Sequence, residues 1–108
     1  DRAGGDVSTV TYEVNLDVDA GIAAEFRSWL EAHVAQMLAL PGFIEARTAE
    51  VLEPAPAPGR VAFCVHYRLH DEAALQAYFD HHAAAMRGDG AARFGGRFSA
   101  SRRVLRDA

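Results

Sequence analysis

Along "TVTYEVNL" the chain alternates without a fault, with Val10, Tyr12, Val14 and Leu16 on one side and Thr9, Thr11, Glu13 and Asn15 on the other. A period of two is that of a strand buried on one face. After "DVDAG" the period lengthens. Ile22, Phe26, Trp29, Leu30, His33 and Met37 recur at spacings of three and four, which predicts a helix from near Asp19, whose carboxylate can cap it, to the "LPG" at Leu40 to Gly42. "FIEARTAEVL", Phe43 to Leu52, reads as a strand of weaker alternation, followed by the stiff proline connector "EPAPAPG". "RVAFCVHYRL" alternates again, with Val61, Phe63, Val65 and Tyr67 opposed to Ala62, Cys64, His66 and Arg68. A second helix is predicted after Asp71, with Leu75, Tyr78, Phe79, His82 and Met86 on its apolar stripe and Gly88 and Gly90 as its stop. Gly95-Gly96 then supplies a turn, and "RFSASRRVL" a last strand.

The order βαββαβ is that of an α+β, ferredoxin-like sandwich, a four-stranded antiparallel sheet with two helices on one face. The uncovered face is then expected to carry Thr11, Glu13, Asn15, Ala62, Cys64, His66, Arg68, Ser99, Ser101 and Arg103. Small and polar groups of this kind suit a cavity lining or the meeting face of two subunits. The glycines of "RGDGAARFGGRF" follow a helix and open a strand, the reverse of a phosphate-cradling loop.

With 108 residues, half of them hydrophobic, the chain fits one domain over residues 7–106; residues 1–6 read as disordered, an expression remnant or a trimmed extension. A formal charge of -4 argues against nucleic acid and anionic membranes as partners. All eleven basic residues are arginine, so lysine Schiff-base chemistry is excluded. A single cysteine, Cys64, forms no internal disulfide, no apolar run is long enough to span a bilayer, and no signal-peptide pattern opens the chain, so the expected compartment is the cytoplasm. No His, Asp and Glu set stands at metal-binding spacing, so neither a metal nor another cofactor is expected.

The segments "YEVNLDVD", "WLEAHVAQMLALPGF", "VAFCVHYRL" and "ARFGGRFSASRRVL" together resemble an uncharacterised bacterial family of the dimeric α/β-barrel superfamily, related to antibiotic-biosynthesis-monooxygenase-like proteins. The resemblance implies a homodimer joined through the sheet faces, with a barrel that can hold a small ligand. It also implies a cofactor-free oxygenase or isomerase acting on a small aromatic or enolisable compound; the alternative is a non-catalytic binding or structural dimer. Asn15 stands where monooxygenase-like and haem-degrading relatives carry an Asn at the end of the first strand. Haem-degrading relatives also place a Trp by the second helix, where this chain has Tyr78, which disfavours haem.

The candidate catalytic residues are Asn15, Glu13 and His66: the Asn and Glu to polarise a carbonyl or enolate, the Glu as a base should burial raise its pKa, and His66 to move protons. The same residues also suit a cross-strand polar network with Arg103. Arg103, Tyr67 and Trp29 are the candidate ligand-binding residues. His33 and His82 lie on the apolar stripes of their helices and read as core or interface histidines.

Overall fold

The structure, a computed structural model, describes residues 8–108; the expectation for residues 1–6 lies outside the described residues. Strand β1 (Val10–Asp19) leads through a 3₁₀ turn (Ala20–Ile22) into helix α1 (Ala23–Leu38). Strands β2 (Phe43–Glu50) and β3 (Arg60–Leu69) follow, then helices α2 (Glu72–His81) and α3 (Ala83–Phe94) and strand β4 (Phe98–Arg106). The four strands form one antiparallel sheet in the order β2-β3-β1-β4. This is the ferredoxin-like arrangement that the alternation predicts.

Side-chain chemistry sets the boundaries. Asp19 accepts a hydrogen bond from the Gly21 amide at 2.8 Å, and Asp71 one from the Ala74 amide at 2.7 Å, so both expected caps form. Gly42 has φ of 87°, and a Cβ built on it would lie 2.6 Å from the Ala74 Cβ, so the turn into β2 needs glycine on two counts. The weak alternation of β2 also has a cause. Phe43 pairs with Leu69 but Glu45 with Arg68, leaving Ile44 as an inserted bulge residue, 42% exposed, and moving the helix-facing position from Phe43 to Ala46.

The glycines at 88 and 90 do not stop the second helix. His82, at φ −130° and ψ −27°, interrupts it, and the chain resumes as α3 through both glycines to Phe94, where Gly95 turns it at φ of 57°. Gly90 is buried against Trp29 and Phe98, so its lack of a side chain serves close packing of α3 rather than helix termination.

All three helices supply buried side chains to one core with the inward faces of β1 and β3. Val10, Tyr12 and Val18 of β1 and Phe63, Val65 and Leu69 of β3 are at most 2% exposed, capped by Phe26, Leu30 and Met37 of α1 and by Leu75 and Tyr78 of α2. Each such burial stabilises by about 1.5–3 kcal/mol. Residues of the opposite alternation form the other face of the sheet, with Glu13 its one buried charged group among the described residues.

Candidate functional site

Register places Glu13 of β1 directly opposite His66 of β3 on one side and Arg103 of β4 on the other. All three side chains therefore meet on the open face. Glu13 Oε1 accepts from His66 Nε2 at 2.9 Å and from an Arg103 terminal nitrogen at 3.0 Å; Oε2 accepts from Arg103 Nε at 2.6 Å and Asn15 Nδ2 at 2.9 Å. An ionised carboxylate only accepts, so the proton of this His66 bond is on Nε2. Glu13 is 5% exposed, covered by these partners rather than by depth in the protein.

The hydrogen bonds from Arg103 and Asn15 outweigh the cost of burial and lower the Glu13 pKa from 4.5 to about 2. The expectation of a pKa raised by burial is thus reversed. A carboxylate held this low is a weak proton acceptor, and its acceptor positions are already filled. Cys64, half-buried and facing Asn15, has its thiol pushed up by burial and by the Glu13 charge, so its thiolate is scarce. Along β1 the Glu13 bridge separates two open hollows, about 500 Å³ beside Asn15, Ala62, Ser101 and Pro54 and about 430 Å³ beside Thr11, Arg47, His66 and Arg68.

Tyr67 and Trp29 do not join this group. Alternation turns Tyr67 to the helix side, where it is 2% exposed and stacks near Tyr12 at a centroid distance of 6.0 Å. Trp29, on α1, stacks on His33 at 4.6 Å and 21°. Both line a narrow cavity between sheet and helices, about 50 Å³, with Tyr78, Met86, Arg87 and Arg102. Arg87 donates to the Tyr12 hydroxyl at 3.0 Å, tying α3 to the centre of the sheet.

His33 also lines this cavity, and its Nδ1 is the one buried side-chain polar atom without a hydrogen-bond partner among the described residues. Such an orphan costs about 1–3 kcal/mol. Burial lowers the His33 pKa below its usual 6.5, so the ring is mainly neutral at pH 7. Burial pushes the phenol of Tyr78 up to about 12 and that of Tyr67 higher still, so both remain hydrogen-bond donors across the physiological range. Helical spacing puts His33 one turn beyond Trp29, so its stripe was readable from sequence, but its unpartnered nitrogen was not. Arg87 was hidden further, because its partner Tyr12 is 75 residues away.

Fold and register together define a ferredoxin-like α+β protein. The chain belongs to the family DUF4286, a domain of unknown function, which matches residues 9–108. No curated protein matches the sequence. Solved structures match its fold at low identity. One is a mutant form of SnoaB, a cofactor-independent oxygenase from Streptomyces nogalater, with TM-score 0.62, 18% identity and 92% of each chain covered. Another is the hydroxynitrile lyase of Passiflora edulis, with TM-score 0.68, 13% identity and 94% of each chain covered. A third is Rv0793 of Mycobacterium tuberculosis, with TM-score 0.65 and 17% identity over 94% of this chain and 96% of that one. No helix among the described residues is long and apolar enough to cross a membrane.

Proposed function

We propose that the protein is an enzyme without a metal or organic cofactor in its reaction, removing a proton from a small aromatic or enolisable compound in the cavity between sheet and helices. The observation that carries this reading is the orphaned Nδ1 of neutral His33 in a cavity edged by Arg87 and Arg102. A neutral imidazole takes the proton, arginine stabilises the resulting enolate or phenolate, and the aromatic walls hold the ring. With dioxygen as co-reactant the substrate anion gives up an electron and recombines with the reduced oxygen to form a C–O bond, and the resulting peroxide takes up the proton held by His33 to leave as a hydroperoxide; without it, reprotonation at another carbon isomerises the compound. A fold shared with a cofactor-independent oxygenase accords with such chemistry but carries none of it over.

Glu13, Asn15 and His66 take a different part in this reading. Their network organises the open sheet face, on which a second copy packs to give a homodimer. Half-buried Asn15, Ala62 and Cys64, and the two hollows beside the Glu13 bridge, favour that closure.

A second reading, a non-catalytic binding domain, draws on the size of the cavity. About 50 Å³ holds one or two waters, whereas ligand pockets usually begin near ~300 Å³. A ring therefore enters only as Met37 and Met86, unbranched and adaptable, move aside. The test is a binding screen of phenols, aromatic acids and quinones, followed by oxygen-uptake and isomerisation assays on every compound that binds. His33→Leu should lower turnover at least about 100-fold, the low end for losing a general base, and Arg87→Ala should weaken binding, while His66→Ala leaves both near wild type. Turnover unaffected by His33→Leu, or binding lost in His66→Ala, overturns the reading. Binding with no turnover of any compound selects the non-catalytic domain.

A further inference from the structure

The open face holds a donor set that the proposed reaction does not use. Glu13, Cys64 and His66 bring a carboxylate oxygen, a thiol sulfur and an imidazole nitrogen within 4.8 Å of one another. Cys64 and His66 are two apart on β3 and so share a face, and pairing puts Glu13 beside them from 53 residues away, which hides the set from any reading of local spacing. We propose that these three residues bind one zinc ion, with a fourth position open to water.

The donor chemistry selects the metal. Thiolate, imidazole and carboxylate together suit a borderline-soft, four-coordinate dication, whereas magnesium and calcium require oxygen ligands. Zinc bonds of about 2.0–2.3 Å put tetrahedral donors roughly 3.5 Å apart. His66 Nε2 and Glu13 Oε1 lie 2.9 Å apart, so the adjustments required are a small parting of these two, withdrawal of the Arg103 terminal nitrogen from Oε1 and a turn of the Cys64 thiol toward them. Glu13 offers the metal Oε1, giving up the Arg103 terminal-nitrogen bond it accepts there, and keeps Oε2 for Arg103 Nε and Asn15, which fix its orientation as outer partners of metal ligands usually do.

Binding balances as follows: the thiol releases its proton to solvent, the imidazole proton moves from Nε2 to Nδ1, and the Nε2 lone pair and the thiolate form the new bonds. One proton leaves per zinc.

Titration of the reduced protein with zinc against a chromophoric chelator, and separately with cobalt as a spectroscopic probe, tests the site. The expected result is one zinc per chain, one proton released, and a thiolate-to-cobalt charge-transfer band. Cys64→Ser should abolish the band and weaken zinc at least about 10-fold, and His66→Ala should weaken zinc similarly, while His81→Ala and His82→Ala, which alter the histidine pair at the α2/α3 junction, leave zinc binding unchanged. Zinc affinity unaltered by Cys64→Ser, a cobalt complex without the band, or no binding overturns the proposal. Should the Cys64 variant misfold by circular dichroism, alkylation of Cys64 in the wild type decides: slowing by one equivalent of zinc supports the site, and an unchanged rate rejects it. His33 lies across the sheet, so failure here leaves the helix-side reaction untouched.

Discussion

Replacing Glu13 by Gln keeps the shape of the side chain and removes the charge on which Arg103, His66 and Asn15 converge. A carboxyl whose pKa falls from 4.5 to about 2 on folding contributes at most about 3 kcal/mol at neutral pH, each pH unit being worth about 1.4 kcal/mol. Water screens the pair, since the Arg103 and His66 side chains are 67% and 45% exposed, so an actual contribution of about 1–2 kcal/mol is expected. The folded-state pKa is depressed, so this stability is fully present above 4.5 and is lost as pH falls toward 2. Urea unfolding of wild type and Glu13→Gln at fixed protein concentration, from pH 7 down to about pH 2.5, measures it. Glu13→Gln should be less stable by about 1–2 kcal/mol at pH 7, and the gap should shrink by more than half by about pH 2.5, closing fully only below the folded-state pKa. A constant gap across the range would show that packing, not charge, holds the face, and equal stability at pH 7 would refute the network's contribution altogether.

Two further outcomes follow from the packing. Gly88→Ala, with nothing within 4 Å of the new methyl, should stabilise by about 0.5–1 kcal/mol; Gly90→Ala, whose Cβ meets Trp29 at 3.0 Å and Phe98 at 3.2 Å, should instead destabilise by about 1 kcal/mol, and thermal melts that rank the pair the other way would refute the close approach of α3. Light scattering at micromolar concentration should return twice the 11.7 kDa chain mass, and a monomer would reject the homodimer.

The strands were legible because their alternation is strict. β1 and β3 could be assigned face by face, and the register bears out that Glu13, His66 and Arg103 share one of them. The same alternation already put Tyr67 opposite His66, so grouping it with Glu13 as a ligand residue ran against its own periodicity. Trp29 lies with Tyr67 because α1 packs on that face alone. Gly88 and Gly90 misled for a reason that propensity does not contain: helix cost is local, whereas the benefit of a missing Cβ at Gly90 comes from Trp29, distant in sequence. The direction of the Glu13 pKa was equally out of reach, since burial and hydrogen bonding pull opposite ways and only geometry shows that the bonds prevail.

The glycine-bearing helix α3 also sets how the interior is reached. It starts at the His82 break without a side-chain cap and carries two glycines, each about 1 kcal/mol poorer than alanine in a helix. In a fold whose total stability is of the order of 5–15 kcal/mol, such a segment opens far more often than the whole molecule unfolds. Met86, Arg87 and Gly90 of this helix form one side of the cavity. α3 is thus the wall of the cavity with the least support from its own helix, and any movement of it carries Met86 aside, with the Arg87 to Tyr12 hydrogen bond acting against it.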